Sequence, residues 1–281
     1  MKRLKTFYDP NAMIPQPYAK RRAALLYNAD NRWEMDNQPQ TNQWAFMDHL
    51  KRYYNALKQL GAPVDVITEE KDFSKYPVLV APAYQLLDAQ LVERWKQYVQ
   101  NGGHLILSSR TGQKDRNGKL WAMQWAQPIH ELIGAKIPFY DLLPDTVKGT
   151  ITFGAKRYNW NNWADMLEPF TGTQVWATYS NQYYAGKAAI VHRKLGKGTV
   201  TFVGADTDDG ALEKAAIRKV YQQAGIATGN FPDGVMVDWR DGFWVAVNYS
   251  GKPYILPIPA NAKLIIGSKA LKTADVVVWK E

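Results

Sequence analysis

Residues 76–109 have the sequence YPVLVAPAYQLLDAQLVERWKQYVQNGGHLILSS. Two short apolar runs typical of buried strands, Tyr76–Ala81 and His104–Ser109, flank a segment with helical periodicity. Asp88 is suited to cap the start of that helix, and two consecutive glycines end it. The apolar side chains expected to face the sheet are those of Leu91, Trp95 and Tyr98. This order of strand, helix and strand predicts two parallel strands joined by a crossover helix.

The same alternation extends towards the amino terminus. Ala23–Asn28 and Pro63–Thr68 are further apolar runs of strand type. Between them we expect a polar loop over Ala29–Gln40 and, from apolar residues three and four apart, a helix over Thr41–Leu60. Short, continuously apolar strands separated by helices form parallel sheets that are covered on both faces. The sequence therefore predicts an α/β fold with a flavodoxin-like, doubly wound sheet.

The pattern changes after residue 110. Polar loops and one helix near residues 123–133 are expected as far as residue 170. Beyond them we expect strands at Gln174–Tyr179, Ala188–Lys194 and Thr199–Val203, and a helix at Leu212–Ala224. After a cluster of Gly, Thr, Asn and Pro near residues 225–232, the chain carries only short strand signals and turns. This last part predicts a small antiparallel β-domain.

The length allows one large domain or two ordinary ones, and the change of pattern near residues 225–232 favours two, behind a basic segment. The 281 residues are 46% hydrophobic and 22% charged, which is the balance of a globular protein. Residues 1–22 carry six basic side chains against one acidic and lack the apolar stretch of a secretory signal. We expect a basic linker or leader at 1–22, an α/β domain at 23–228 and a β-domain at 229–281. We expect no binding to membranes or nucleic acid, because no apolar run approaches the about 20 residues of a membrane-spanning helix and no nucleic-acid module is recognisable.

The sequence gives little support for catalysis or cofactor binding. It contains no cysteine, four scattered histidines, and neither the GxGxxG nor the GxxxxGK[ST] phosphate motif. These absences exclude disulfides, thiolate metal sites and a cysteine nucleophile. We expect no cofactor, no metal and no catalytic residue, and the lack of cysteine is compatible with a cytoplasmic protein.

Three features have both a structural and a functional interpretation. Ser108 and Ser109 end a strand without a surrounding GxSxG, so satisfying backbone groups is the favoured role. Asp206–Gly210 lacks the ligand spacing of a calcium loop and is expected to be a turn at a helix start. Four tryptophans are either core residues, the favoured role, or exposed faces for sugar stacking: Trp160, Trp163, Trp239 and Trp244.

Several long motifs resemble the trimerisation domain of glycoside hydrolase family 42 β-galactosidases. They are residues 23–67, 76–115 (YPVLVAPAYQLLDAQLVERWKQYVQNGGHLILSSRTGQKD) and 132–144 (LIGAKIPFYDLLP). WADMLEP, YYAGKAAIVHRKLGKGTVTFVGA and the β-rich tail are similar to the rest of that domain and the small domain behind it. The sheet also resembles that of class I glutamine amidotransferases, whose chemistry the missing cysteine excludes.

The resemblance implies a non-catalytic role for this chain. In that family a (β/α)₈ barrel of about 250 residues carries two catalytic glutamates, and this sequence has no such barrel and no matching glutamate. The implied function is the assembly part of an enzyme that hydrolyses terminal β-D-galactosides. The implied partners are further copies, as a homotrimer, and a catalytic barrel through which alone galactosides are bound. The alternative is a stand-alone carbohydrate-binding or sugar-acting protein built from the same domains.

The expected contact surface is formed by the loops at the carboxyl edge of the sheet. The candidate side chains for contact with substrate or barrel are Asn31, Trp33, Glu34, Arg110, Lys114 and Asp115. On this interpretation, Arg110→Ala leaves the fold intact and weakens association with a barrel. The alternative interpretation is a polar loop whose side chains satisfy one another.

Overall fold

The computed structural model describes residues 23–61 and 63–281; the predicted leader at 1–22 lies outside them. The chain divides into a larger unit that ends at Asn230 and a smaller unit of Phe231–Glu281. Within the described residues, no helix has the length and apolar content needed to cross a membrane.

The larger unit is built from thirteen strands and five helices among the described residues. In chain order the strands are β1 (Ala23–Leu26), β2 (Val64–Ile67), β3 (Val78–Ala81), β4 (Leu86–Leu87), β5 (His104–Ser108), β6 (Lys114–Asp115), β7 (Ala135–Leu143), β8 (Gly149–Phe153), β9 (Lys156–Trp160), β10 (Asn162–Pro169), β11 (Gln174–Tyr179), β12 (Ala188–Leu195) and β13 (Gly198–Val203). The helices are α1 (Ala29–Asn37), α2 (Phe46–Gln59), α3 (Ala89–Gln100), α4 (His130–Ile133) and α5 (Ala211–Gln223).

Eleven of these strands form one mixed sheet. Its parallel part has the order β2-β1-β3-β5-β13, and β12, β11, β8 and β9 continue it in antiparallel fashion. β10 pairs with both β12 and β7, while β4 and β6 form a separate parallel pair. The predicted α/β sheet is therefore confirmed, with a larger antiparallel part than the sequence indicated.

Helices cover both faces of the sheet, which explains why its central strands are apolar throughout. In β1, Ala23 and Leu25 belong to one buried cluster and Ala24 and Leu26 to the other, since successive side chains point to opposite faces. α2 and α5 pack on the first face, and α3 and α4 on the second. Trp95 of α3 is fully buried in the second cluster.

Local signals set the ends of α3 as predicted. The Asp88 carboxylate accepts a hydrogen bond from the backbone N–H of Leu91 at 2.7 Å, which satisfies a free donor of the first turn. At the other end, Gly102 has a φ of 116°, which favours glycine. A Cβ on Gly103 would lie 2.2 Å from the ring of Tyr98, so the second glycine allows that ring to pack against the chain.

Three sequence-based expectations were wrong. Residues 29–37 form α1 rather than a loop, because the Asn28 side chain accepts from the N–H of Asn31 at 2.8 Å and caps the helix. α2 begins at Phe46 rather than at Thr41, with Ala45 as its N-cap. Within residues 110–170, β7 to β10 replace most of the expected loops, and the expected helix is the single turn α4 behind a short 3₁₀ turn.

The smaller unit is the expected antiparallel β-domain. Its strands are β14 (Val235–Arg240), β15 (Phe243–Asn248), β16 (Tyr254–Ile255), β17 (Lys263–Ile266), β18 (Ala270–Leu271) and β19 (Val276–Lys280). Four form a sheet of order β14-β15-β19-β17, and β16 pairs with β18. Its buried core includes Val235, Ala246, Val277 and Trp279.

Candidate functional site

The carboxyl ends of the parallel strands bring distant segments of the larger unit together. β5 pairs with both β3 and β13, so the residues that follow these three strands lie at one edge of the sheet. The helix α1 follows β1 at the same edge. Four segments separated by up to about 180 residues of sequence therefore meet here, and they contain the predicted contact residues.

Arg110 lies at the centre of this edge and is fully buried. Its guanidinium carbon lies 4.2 Å from the ring centre of Trp44 and 4.6 Å from that of Trp163. One guanidinium nitrogen donates to the carbonyl of Pro39 at 3.0 Å. The backbone φ of Arg110 is 69°, a left-handed conformation that costs a non-glycine residue about 1–3 kcal/mol. Packing and hydrogen bonds hold the side chain in place despite this cost.

Asp165 is the buried acid beside this arginine. The backbone N–H of Arg110 donates to its Oδ2 at 3.1 Å, and the indole N–H of Trp163 donates to its Oδ1 at 2.9 Å. Burial raises the pKa of Asp165 to about 6, although both hydrogen bonds oppose that shift. Burial also lowers the pKa of Arg110 to about 10, against the attraction of Asp165. The cost of burying charge thus exceeds the attraction between these two groups.

A column of stacked rings passes through this site. Trp163 stacks on Tyr140 at 4.4 Å, and Tyr140 stacks in turn on Trp125 at 4.7 Å. On the other side of the guanidinium, the ring centres of Trp44 and His49 are 5.4 Å apart. We call this series the aromatic column; its members are Trp125, Tyr140, Trp163, Arg110, Trp44 and His49. It joins two strands, three loop segments and one helix at this edge.

At the inner end of the aromatic column, His49 bonds to groups at the ends of two strands. Its Nδ1 lies 2.7 Å from Oδ1 of Asp206, and its Nε2 lies 2.7 Å from Oγ of Ser108. Arg52 donates to the same Asp206 oxygen at 2.7 Å. Since Nδ1 faces a carboxylate, we assign its proton to the bond with Asp206, which makes Nε2 the acceptor of the serine hydroxyl.

This arrangement has the hydrogen-bond order of a serine, histidine and aspartate triad. Each of Ser108, His49 and Asp206 is at most 1% exposed, so a substrate has no access to the serine oxygen in this structure. Ser108 Oγ also accepts from the backbone N–H of Ala83 at 2.7 Å. The network therefore ties α2 to the ends of three strands, and Ser108 satisfies a backbone group as expected.

The predicted contact residues differ in how accessible their side chains are to a partner. Lys114 is buried and bonds to Glu34 and, at 2.9 Å, to the side chain of Gln38. Asn31 is also buried, and its side-chain oxygen accepts from the N–H of Leu86 at 2.8 Å. Together with Arg110, three of the six candidates are thus buried and hydrogen-bonded inside the chain, and Glu34 is paired with one of them.

Two candidates lie nearer the surface. Asp115 accepts from the N–H groups of Asn117 and Lys119 at 2.9 and 3.0 Å and so closes a tight turn. Trp33 is 60% exposed and is the candidate most available to a partner. Among the tryptophans considered for sugar stacking, Trp160 and Trp163 are fully buried and form part of the core.

A buried glutamate lies just beyond Asp206. Both Glu213 oxygens accept from Thr207, one from the backbone N–H at 3.1 Å and the other from the hydroxyl. Burial, and secondly the charge of Asp206, raise the pKa of Glu213 to about 7. The Asp206–Gly210 segment forms the turn before α5, where the Asp209 side chain accepts from the N–H of Ala211.

Comparison with known proteins assigns this architecture to a family. The family model described as the β-galactosidase trimerisation domain matches residues 21–229. The chain belongs to glycoside hydrolase family 42. A second family 42 model, the β-galactosidase C-terminal domain, matches residues 234–281. The resemblance of the sequence motifs to this family is thereby confirmed.

The curated relatives are β-galactosidases of which this chain covers the lesser part. BgaH of Haloferax lucentense is 32% identical over 256 residues, which are 91% of this chain and 38% of that protein. BgaA of Clostridium cellulovorans is 32% identical over 194 residues, 69% of this chain and 29% of that protein. The chain thus spans less than two-fifths of the length of these family 42 relatives.

Solved family 42 structures share the fold. The β-galactosidase of Halorubrum lacusprofundi superposes with a TM-score of 0.84 at 25% identity, covering 93% of this chain and 40% of that one. The enzyme from the psychrophilic Marinomonas ef1 gives 0.83 at 26% identity, covering 100% and 40%. The enzyme from Bacillus circulans sp. alkalophilus gives 0.87 at 19% identity, covering 100% and 44%, and supports the fold alone.

Proposed function

We propose that this chain is a non-catalytic assembly part of a family 42 β-galactosidase that hydrolyses terminal β-D-galactosides with a barrel not present in this chain. The observation that supports this most directly is the match of residues 21–229 to the trimerisation-domain model. The edge of the sheet that carries the candidate site is also closed, since its arginine, lysine and serine are buried and internally bonded. A closed, rigid edge suits a scaffold that positions a partner rather than a cleft that binds substrate.

The isolated chain is expected not to hydrolyse β-galactosides. The retaining mechanism needs two carboxyl groups about 5–5.5 Å apart that flank a sugar, and we assign no such pair to this chain. The measurement is a chromogenic galactoside assay on the purified chain beside a full-length family 42 enzyme. Turnover that persists through further purification, and is lost when a carboxylate of this chain is replaced, would contradict the proposal.

Self-association into a homotrimer is the second part of the proposal. Light scattering behind size exclusion is expected to give a mass near three times 32.0 kDa at high concentration. Trp33, as an exposed aromatic at the candidate site, is proposed to lie in a contact, since tryptophan is enriched at interfaces. Trp33→Ala should then shift the equilibrium towards monomer, whereas Tyr183→Ala, at an 80% exposed position, serves as the matched control. A strict monomer at all concentrations, with or without an added barrel, would rule out the assembly role.

Finer assignments accompany this function. We propose the flavodoxin-like, amidotransferase-like subclass for the larger domain, supported by the parallel order β2-β1-β3-β5 with helices on both faces. We propose domains at 23–228 and 229–281 behind a leader at 1–22, supported by the division of the chain after Asn230. A cytoplasmic site of action is proposed from the absence of cysteine.

A further inference from the structure

The sequence contains two Asn-Gly pairs, Asn101–Gly102 and Asn117–Gly118. An asparagine followed by glycine deamidates readily in a mobile chain, because glycine has no side chain to keep its backbone nitrogen away from the asparagine side chain. In a folded chain the reaction also requires that the backbone between the two residues can rotate. The structural settings of the two pairs therefore determine which asparagine reacts.

Asn117 lies in an exposed turn that follows β6, and Asp115 takes part in four hydrogen bonds that close this turn. The Asp115 carboxylate accepts from the N–H groups of Asn117 and Lys119. Its carbonyl accepts from the N–H of Gly118 at 3.0 Å, and its own N–H donates to the Lys119 carbonyl at 2.8 Å. Because Asn117, Lys119 and Leu120 are exposed, the turn can open without uncovering their side chains from a core.

Asn101 is also exposed, but it lies at the end of α3, where the core fixes the backbone. The N–H of Gly102 donates to the Val99 carbonyl at 2.9 Å, and that of Gly103 donates to the Tyr98 carbonyl at 3.0 Å. Tyr98 and Val99 are both buried. Rotation of the Asn101 backbone therefore requires that the last turn of the helix leaves the core, which costs more free energy than opening a surface turn.

We propose that Asn117 is a modification site at which the chain converts, without an enzyme, into aspartate and isoaspartate. Once the turn opens and the Gly118 backbone nitrogen loses its proton, this nitrogen attacks the side-chain carbonyl carbon, Cγ, of Asn117. The N–Cγ bond forms, the Cγ–Nδ2 bond breaks, and Nδ2 leaves as ammonia. Water then opens the succinimide ring: cleavage of the new N–Cγ bond gives aspartate, and cleavage of the original peptide bond gives isoaspartate. The net reaction consumes water and releases ammonia.

The conversion loosens the turn in which it takes place. It adds a negative charge close to the Asp115 carboxylate and to Glu34, one of whose carboxylate oxygens lies 3.2 Å from the position that a Cβ on Gly118 would occupy. In isoaspartate the backbone also runs through the former side chain, which lengthens the turn and displaces the N–H groups that Asp115 binds. Faster hydrogen exchange of the Lys119 amide in the converted chain is the expected result, and an unaltered rate would contradict this loosening.

The test is peptide mapping by mass spectrometry after the full chain has been incubated at mildly basic pH, which favours loss of the glycine proton. The peptide that contains Asn117 should gain about 1 Da and separate into an aspartate and an isoaspartate form. Isoaspartate identifies the ring, because direct hydrolysis of the side chain gives aspartate alone. The peptide that contains Asn101 should convert about tenfold more slowly or less. In urea, where the fold is lost, the two asparagines should convert at similar rates.

Three variants test the chemistry and the role of the turn. Asn117→Gln should stop the conversion at this position, because glutamine would have to close a larger ring, whereas the matched Asn101→Gln should leave it unaltered. Asp115→Ala removes the carboxylate that closes the turn and should speed the conversion about tenfold. Circular dichroism and melting curves confirm that the variants fold. Conversion of Asn117 no faster than that of Asn101 in the folded chain, a product without isoaspartate, or an unaltered rate in Asp115→Ala would each overturn the proposal.

Discussion

Arg110→Ala is expected to lower the free energy of unfolding by about 3–5 kcal/mol, the range for removing one partner of a buried charged network. The substitution removes a guanidinium that lies between Trp44 and Trp163 and leaves a cavity between the two rings. It also takes away the positive charge that Asp165 faces in the interior. The expectation from sequence, that this change leaves the fold intact, is replaced because the side chain is buried. Urea denaturation followed by circular dichroism measures the effect.

Two further variants distinguish the effect of losing the Arg110 side chain from backbone strain at this residue and from the loss of an arginine in general. Arg110→Gly relieves the left-handed backbone strain that alanine retains, so it should be about 1 kcal/mol more stable than Arg110→Ala. Arg157→Ala, at an exposed arginine of β9, should stay within about 0.5 kcal/mol of the unmodified chain. A loss below about 1 kcal/mol in Arg110→Ala would show that the arginine does not stabilise the edge.

Glu213→Gln is expected to alter how stability depends on pH. The pKa of Glu213 is about 7 in the folded chain against 4.5 for an ordinary glutamate. The folded state therefore holds this proton more tightly, and its contribution to stability is complete below pH 4.5 and is lost as pH rises to about 7. The amide does not ionise: its oxygen still accepts from the Thr207 N–H, and its NH₂ donates to the Thr207 hydroxyl oxygen, which reverses that second bond. The difference in free energy of unfolding between the variant and the unmodified chain should therefore rise, in favour of the variant, by on the order of 3 kcal/mol between pH 4.5 and pH 8.

The measurement is the free energy of unfolding of both proteins at several pH values. Asp165 contributes a loss of the same sign between about pH 3.8 and 6, but it is present in both proteins and cancels in the difference. Glu168→Gln is the control, because Glu168 is about half exposed and pairs at the surface with Lys187. If the difference in free energy of unfolding between Glu213→Gln and the unmodified chain stays constant with pH, the raised pKa of Glu213 is contradicted.

The parallel half of the sheet was predictable because its signals are local. Continuous apolar runs, the Asp88 cap and the glycine pair all act within a few residues, and the strands and α3 lie where they indicate. β10 was missed because Asp165, a polar residue in its middle, resembles a loop residue until Arg110 and Trp163 supply its hydrogen bonds. α1 was missed because its apolar residues do not recur at helical spacing. The sequence signal for this helix is then the single capping side chain of Asn28.

The position of the candidate site could be predicted from the sequence, but the contacts made by its side chains could not. Because parallel strands end at one edge, Ser108 and the residues just after β13 were bound to be near each other. Nothing in the sequence near Arg110 indicates that two tryptophans from 66 residues upstream and 53 residues downstream enclose it. This burial depends on tertiary packing. It places Arg110, a side chain expected at a contact surface, inside the chain.

The pairing of β5 with β13 has a consequence for biosynthesis. His104 and Thr199, which are partners across these strands, are 95 residues apart in sequence. At about 5–20 residues per second on a ribosome, β13 is synthesised roughly 5–20 seconds after β5. During that interval the nascent sheet presents an apolar strand with an unpaired edge, which is a template for wrong pairing. The chain is thus exposed to wrong pairing while the residues between β5 and β13 are being translated.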